Sequence, residues 1–184
     1  MDPVVDPSVV DALFDAAGVS NYRNAPDLTI FASAAGFCVG AELVRLSIFT
    51  PPQGPRDASG PARWIVITDE RAIEVAGEMS GDWWSRRPIQ FAVSGELIVS
   101  VRPLAAFNEL RFTGNRWMWH PEAADSVREL LRGTAAVLRP VDGSEDLILW
   151  EDFADNAAGA PKAGNLLDGL RSLATRVSTF GEGA

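Results

Sequence analysis

The amino-acid sequence predicts an α+β fold: a curled antiparallel sheet or partly open barrel of about seven strands, capped by one helix, with additional N- and C-terminal helices. Three observations predict it. From Arg63 to Trp119, short apolar runs that alternate with polar residues are separated by two-residue turn signals. From Pro121 to Leu138 the apolar residues change to helical spacing. Near each terminus one further stretch carries a single apolar stripe of helical period. A series of hairpins ending in a helix that must bury its stripe on the sheet is an α+β arrangement.

Taken in order, Asp6-Pro7 places a capping carboxylate before a proline in the first helical turn. Val9, Val10, Leu13, Phe14 and Ala17 then give one apolar face, which ends at Gly18. This is a helix of about three turns. Ser20 to Asp27, with Pro26, is a connector. Leu28 to Ala32 has the alternation of a strand, yet a buried helix from Thr29 to Val39 fits the same residues, and both readings stay open at this point. Glu42 to Phe49 alternates as a longer strand. Pro51 to Pro61 holds four prolines and two glycines and is expected to be an exposed loop.

Arg63 to Thr68 and Arg71 to Val75 are strand-like runs around Asp69-Glu70, a hairpin. Ile89 to Val93 and Glu96 to Val101 flank Ser94-Gly95, where glycine can take the positive φ of a tight turn. Leu110 to Thr113 and Arg116 to Trp119 repeat the device around Gly114-Asn115. Gly77 to Pro88 is a long loop. Pro121, Glu122 and Asp125 suit the start of a helix, and Val127, Leu130, Leu131, Thr134 and Leu138 supply its stripe before Pro140. Val141 to Glu145 reads as a turn, Leu147 to Trp150 as an edge strand, and Glu151 to Gly164 as an acidic, small-residue linker. Leu166, Leu167, Leu170, Leu173 and Val177 mark a last helix whose apolar face must meet the body or a partner.

A chain of 184 residues with 47% hydrophobic content fills one core, so residues 1–184 are expected to form one domain. Its parts are a core at 28–138, an N-terminal helix within 1–18, and an acidic linker with a helix at 141–184. No apolar run reaches membrane-spanning length, and the N-terminus lacks a basic start followed by an apolar core. Stable membrane insertion is therefore not expected, and a cytoplasmic location is. The formal charge of −9 is uneven: residues 1–44 and 140–184 carry −5 each, while 45–139 carry +1. A neutral middle argues against nucleic acid, which needs a positive footprint.

The single Cys38 excludes an internal disulfide, and the single His120 excludes two-histidine metal motifs, so no metal or cofactor is expected. His120 precedes Pro121 at a strand-to-helix junction, where packing or capping explains it, and no Gly-x-Ser-x-Gly element accompanies it. Cys38, between Phe37 and Val39, reads as a small hydrophobe. Trp117 and Trp119 share one strand face and read as core or a cross-strand pair. The acids Asp69, Glu70, Glu74, Glu78 and Asp82 fit turn and surface roles. Trp83, Trp84, Arg86 and Arg87 differ, because paired tryptophans and arginines on a polar loop are the residue types of binding hot spots. They are the expected partner-binding residues, set against a plug of the sheet end and two solvated arginines.

Arg63-Trp-Ile-Val-Ile-Thr-Asp-Glu-Arg-Ala-Ile-Glu-Val75 resembles the strand–Thr-Asp-x-Arg–strand hairpin of bacterial pleckstrin-homology-like and GRAM-like domains, with Thr68, Asp69, Glu70 and Arg71 as the sharp motif. The resemblance spans about residues 28–138. It implies a curled sheet of about seven strands with one C-terminal helix, and a non-catalytic module that binds lipid headgroups, peptides or proteins. The first hairpin has no lysines and the net charge is negative, which counts against phosphoinositide and favours a protein partner. The expected function is thus a non-enzymatic protein-binding module or adaptor. Three alternatives accompany it: a small acidic inhibitor of immunity or antitoxin type covering a basic site, a structural subunit of a larger assembly, and an enzyme using His120 with carboxylates.

Overall fold

The computed structural model describes residues 5–22, 25–52, 59–79, 96–114, 132–151 and 163–181. Asp6 caps the first helix, α1 (Pro7–Ala16), by accepting the Ser8 amide at 2.9 Å, and Gly18 at φ 68° turns the chain away. A 3-10 turn at Ser20–Tyr22 follows. The second helix, α2, spans Pro26–Val39, so the helical reading of residues 29–39 is the correct one and the strand at 28–32 is not. Pro26 opens this helix instead of sitting in a connector. Leu28, Phe31, Ala32, Ala35 and Val39 are buried along it at helical spacing.

Four strands form a meander in the order β1 (Leu46–Thr50), β2 (Gly60–Ile67), β3 (Arg71–Met79) and β4 (Ile98–Pro103), all antiparallel. The expected hairpin is present as β2–β3, with Ile67 opposite Ala72 across the Thr68–Arg71 turn. Strand β1 starts at Leu46 instead of Glu42, leaving Glu42 and Leu43 in the approach to it. Pro51 and Pro52 are buried, Gly60 and Pro61 belong to β2, and Gly77 to Met79 belong to β3, so both expected loops are shorter at these ends. Strand β4 pairs with β3; the Ile89 to Val93 arm predicted for it lies outside the described residues.

A second antiparallel sheet has the order β5 (Phe107–Thr113), β6 (Ala135–Pro140), β7 (Leu147–Trp150). The two sheets do not close into a barrel. Within the described part of the helix expected to end at Leu138, the chain is strand: β6 pairs with both β5 and β7. Its burial alternates, with Ala136, Leu138 and Pro140 inward. Residues 121–131 lie outside the described residues, as does the Arg116 to Trp119 arm. Gly133, at φ 66°, turns the chain just ahead of Thr134 and β6. The turn after β6 and the edge strand β7 are where the sequence placed them.

The third helix among the described residues, α3 (Ala163–Gly181), buries Leu166, Leu170, Leu173 and Val177 against its own chain, meeting β5, β1 and the 3-10 turn at Leu104–Ala106. Gly169 makes that contact possible: a Cβ there would lie 2.5 Å from the Arg45 carbonyl oxygen. Strands β1 to β3 are therefore covered on both faces. Trp64, Val66, Phe49, Ile73 and Val75 pack under α1 and α2. Ile48, Ile65 and Ile67 pack against the second sheet and α3. Trp64 sits at the centre of the first cluster, with Phe14 edge-on at 5.4 Å and Phe49 at 5.3 Å between ring centroids.

Candidate protein-binding surface

Trp83, Trp84, Arg86 and Arg87 lie outside the described residues, as do His120, Trp117, Trp119 and Asp82. Cys38 is a free thiol, half-buried on α2. Of the remaining acids, Glu70 and Glu78 are exposed, while Asp69 and Glu74 are half-buried and bonded to arginines. Glu74 accepts from Arg63 Nε at 2.8 Å, and the same guanidinium reaches the Ile148 carbonyl at 2.8 Å, linking the two sheets.

The Thr68–Arg71 turn is densely hydrogen-bonded. Thr68 Oγ1 accepts the Glu70 and Arg71 amides at 3.3 and 3.0 Å, and the Thr68 amide donates to the Arg71 carbonyl at 2.9 Å. Glu42 then receives the Thr68 hydroxyl and the Arg71 guanidinium, the latter through Nε at 2.6 Å and through Nη2. Asp69 receives Arg45 Nε at 2.7 Å and Arg176 Nη2 at 2.7 Å, while Arg176 also donates to the Asp69 carbonyl. One four-residue turn thereby ties the α2–β1 connection to α3.

These contacts set the protonation of the two acids. Burial raises the Glu42 carboxyl, but the hydrogen bonds from Arg71 and Thr68 outweigh it and hold it below its ordinary value. The Arg45 hydrogen bond holds Asp69 low, with further help from the nearby Arg176 charge. Both carboxylates are thus ionised and committed to arginines. The motif acts as a clamp between these parts of the chain.

Beside this clamp lies a groove of about 430 Å³ between the start of α1 and the end of α2. Val5, Asp6 and Val9 line one wall, while Gly36, Phe37 and Gly40 line the other, with Glu42 at the margin. Gly36 lets the walls meet at the base, since a Cβ there would stand 3.0 Å from a Val5 methyl. Phe37 is 60% exposed, and Leu43, one residue past Glu42, is 57% exposed. Asp6 is exposed at the groove, and its carboxyl is held low by the Ser8 amide. Strand β4 also presents apolar side chains to solvent, Ile98, Val99 and Val101.

The sequence gives no direct signal for this groove. Phe37 becomes visible only once 26–39 is a helix, where it falls off the buried stripe. Its neighbours Val5 and Asp6 come from another element some thirty positions earlier. Among the described residues there is no group of three or more His, Cys, Asp or Glu placed to hold a metal, and no helix long and apolar enough to cross a membrane. Comparison with models of protein families, with curated proteins and with solved structures gave no match.

Proposed function

We propose that this chain is a non-enzymatic module that binds another protein, working in the cytoplasm. The observation that supports it most is the groove at the α1–α2 end, where the large apolar side chain of Phe37 stands in solvent beside Val5 and Val9. Single exposed apolar residues are ordinary, but apolar side chains gathered on a concavity are characteristic of interaction sites. The resemblance of Arg63 to Val75 to pleckstrin-homology-like hairpins supports the same reading. Trp83, Trp84, Arg86 and Arg87 remain the second proposed contact, on residue type.

The test is site-specific photo-crosslinking in the native host. A benzophenone amino acid replaces Phe37 in one variant and Trp84 in another. A third carries it at Asp168, whose side chain is 79% exposed on α3. The expected outcome is one discrete protein adduct from position 37 or 84 that is absent from position 168. Adducts from neither position, in variants whose circular dichroism matches wild type, would remove the protein-binding reading.

A further inference from the structure

The chemistry of the groove narrows what it accepts, if the protein-binding reading is right. We propose that it takes a basic, partly apolar segment of the partner: an arginine or lysine head beside Asp6 and the carbonyl end of α2, with a neighbouring apolar side chain on Phe37.

The charges around the groove point one way. Glu42 is matched by Arg71, so that pair is close to neutral. Asp6 is not so matched: among the described residues its carboxylate is bonded by Ser8, through the amide and the side chain, and no cation pairs with it. The groove wall is also the last turn of α2, the negative end of a helix dipole, and that turn contains no basic residue. Asp6 answers the positive end of α1, whereas the last turn of α2 carries no cation of its own, and the Arg71 guanidinium near Cys38 is bonded to Glu42. A cation supplied by a partner completes this arrangement, whereas an anion would meet Asp6 and the α2 carbonyls together.

The apolar component is equally specific. Val5, Val9 and the exposed Phe37 ring form a surface on which an aliphatic stem can lie, as lysine and arginine stems do along apolar walls. The Phe37 ring face additionally favours a guanidinium over a neutral group. Residues 1–44 carry −5 overall, which would attract such a segment from a distance before the groove selects it.

The experiment uses the full chain, ¹⁵N-labelled, titrated with a synthetic amphipathic leucine–arginine peptide. A second peptide has every arginine replaced by citrulline, which keeps the shape and removes the charge. The expected result is saturable shifts at the Gly36, Phe37 and Gly40 amides with the arginine peptide, and binding about tenfold weaker with citrulline. Asp6→Asn keeps a side chain able to cap α1 while losing the charge. This variant and Phe37→Ala should each weaken binding about threefold, while Asp168→Asn leaves it unchanged. Equal weakening by Asp6→Asn and Asp168→Asn would reveal diffuse attraction to an acidic protein and overturn the proposal, as would equal binding of the citrulline peptide. A partner crosslinked at position 37 alongside indifference to arginine would sink only this chemistry and leave the protein-binding reading standing. Failure of both experiments would remove both.

Discussion

Ser47 shows how one buried hydroxyl fixes two layers at once. Its Oγ accepts the Trp64 indole N–H at 2.8 Å and donates to the Leu13 carbonyl at 3.2 Å, so the α1 backbone, β1 and the central tryptophan share one atom. Both Ser47 and Trp64 are fully buried. Ser47→Ala would leave the indole N–H and the carbonyl without this partner in a site that water does not reach. The expected loss is about 1–3 kcal/mol in urea denaturation, larger than an exposed serine would give. An unchanged midpoint would mean that the indole finds another acceptor. Nothing in the sequence marks this serine, because its partners come from positions 13 and 64 and meet only after folding. Trp150 and Thr134 form a similar buried pair at 3.0 Å, equally silent in the sequence.

At the scale of elements, α3 and the β2–β3 hairpin carry complementary lessons. The stripe Leu166, Leu170, Leu173 and Val177 predicts the helix, but a stripe does not say what covers it. The cover is the chain's own β5 and β1, and at Gly169 the helix passes close to the Arg45 carbonyl. Leu173→Ala is expected to cost about 2–5 kcal/mol as a buried truncation. Gly169→Ala, though it favours helix by intrinsic propensity, should destabilise by about 1–3 kcal/mol, because its Cβ would press on the rigid Arg45 carbonyl. A thermal melt in which Gly169→Ala raised Tm would mean that α3 can shift outward without penalty. In the hairpin, by contrast, local chemistry decided nearly everything: β-branched arms, a short turn, and a threonine able to bond its own backbone.

For the whole molecule, the clamp at Thr68–Arg71 joins parts of the chain distant in sequence, and its acids make it sensitive to pH. Unfolded, Asp69 and Glu42 titrate near 3.8 and 4.5, and in the folded protein both are lower. Stabilisation from a depressed carboxyl is fully present above the unfolded value and is lost as pH falls through the folded one. Wild type should therefore lose more Tm between pH 5 and pH 3 than Asp69→Asn, which has no such carboxyl to protonate; parallel curves would show that Asp69 contributes nothing through its charge. The sequence by itself determined α1, the β2–β3 hairpin, the 141–145 turn, β7 and the existence of α3, because each is specified by neighbours: a capping carboxylate, a proline in a first turn, a glycine at positive φ, or an uninterrupted period. Only the tertiary structure decided residues 134–138. Thr134 and Leu138 are four apart, one helical turn and also two strand repeats, so their spacing fits both periods, and pairing with β5 and β7 chose the strand. Likewise Leu28, Ile30 and Ala32 satisfy a strand, but the sheet face offered by Trp64 and Val66 is buried by a helix that turns Phe31 and Ala35 onto it. The groove was decided last, since it exists only where α1 and α2 lie side by side and no local pattern encodes the space between two elements.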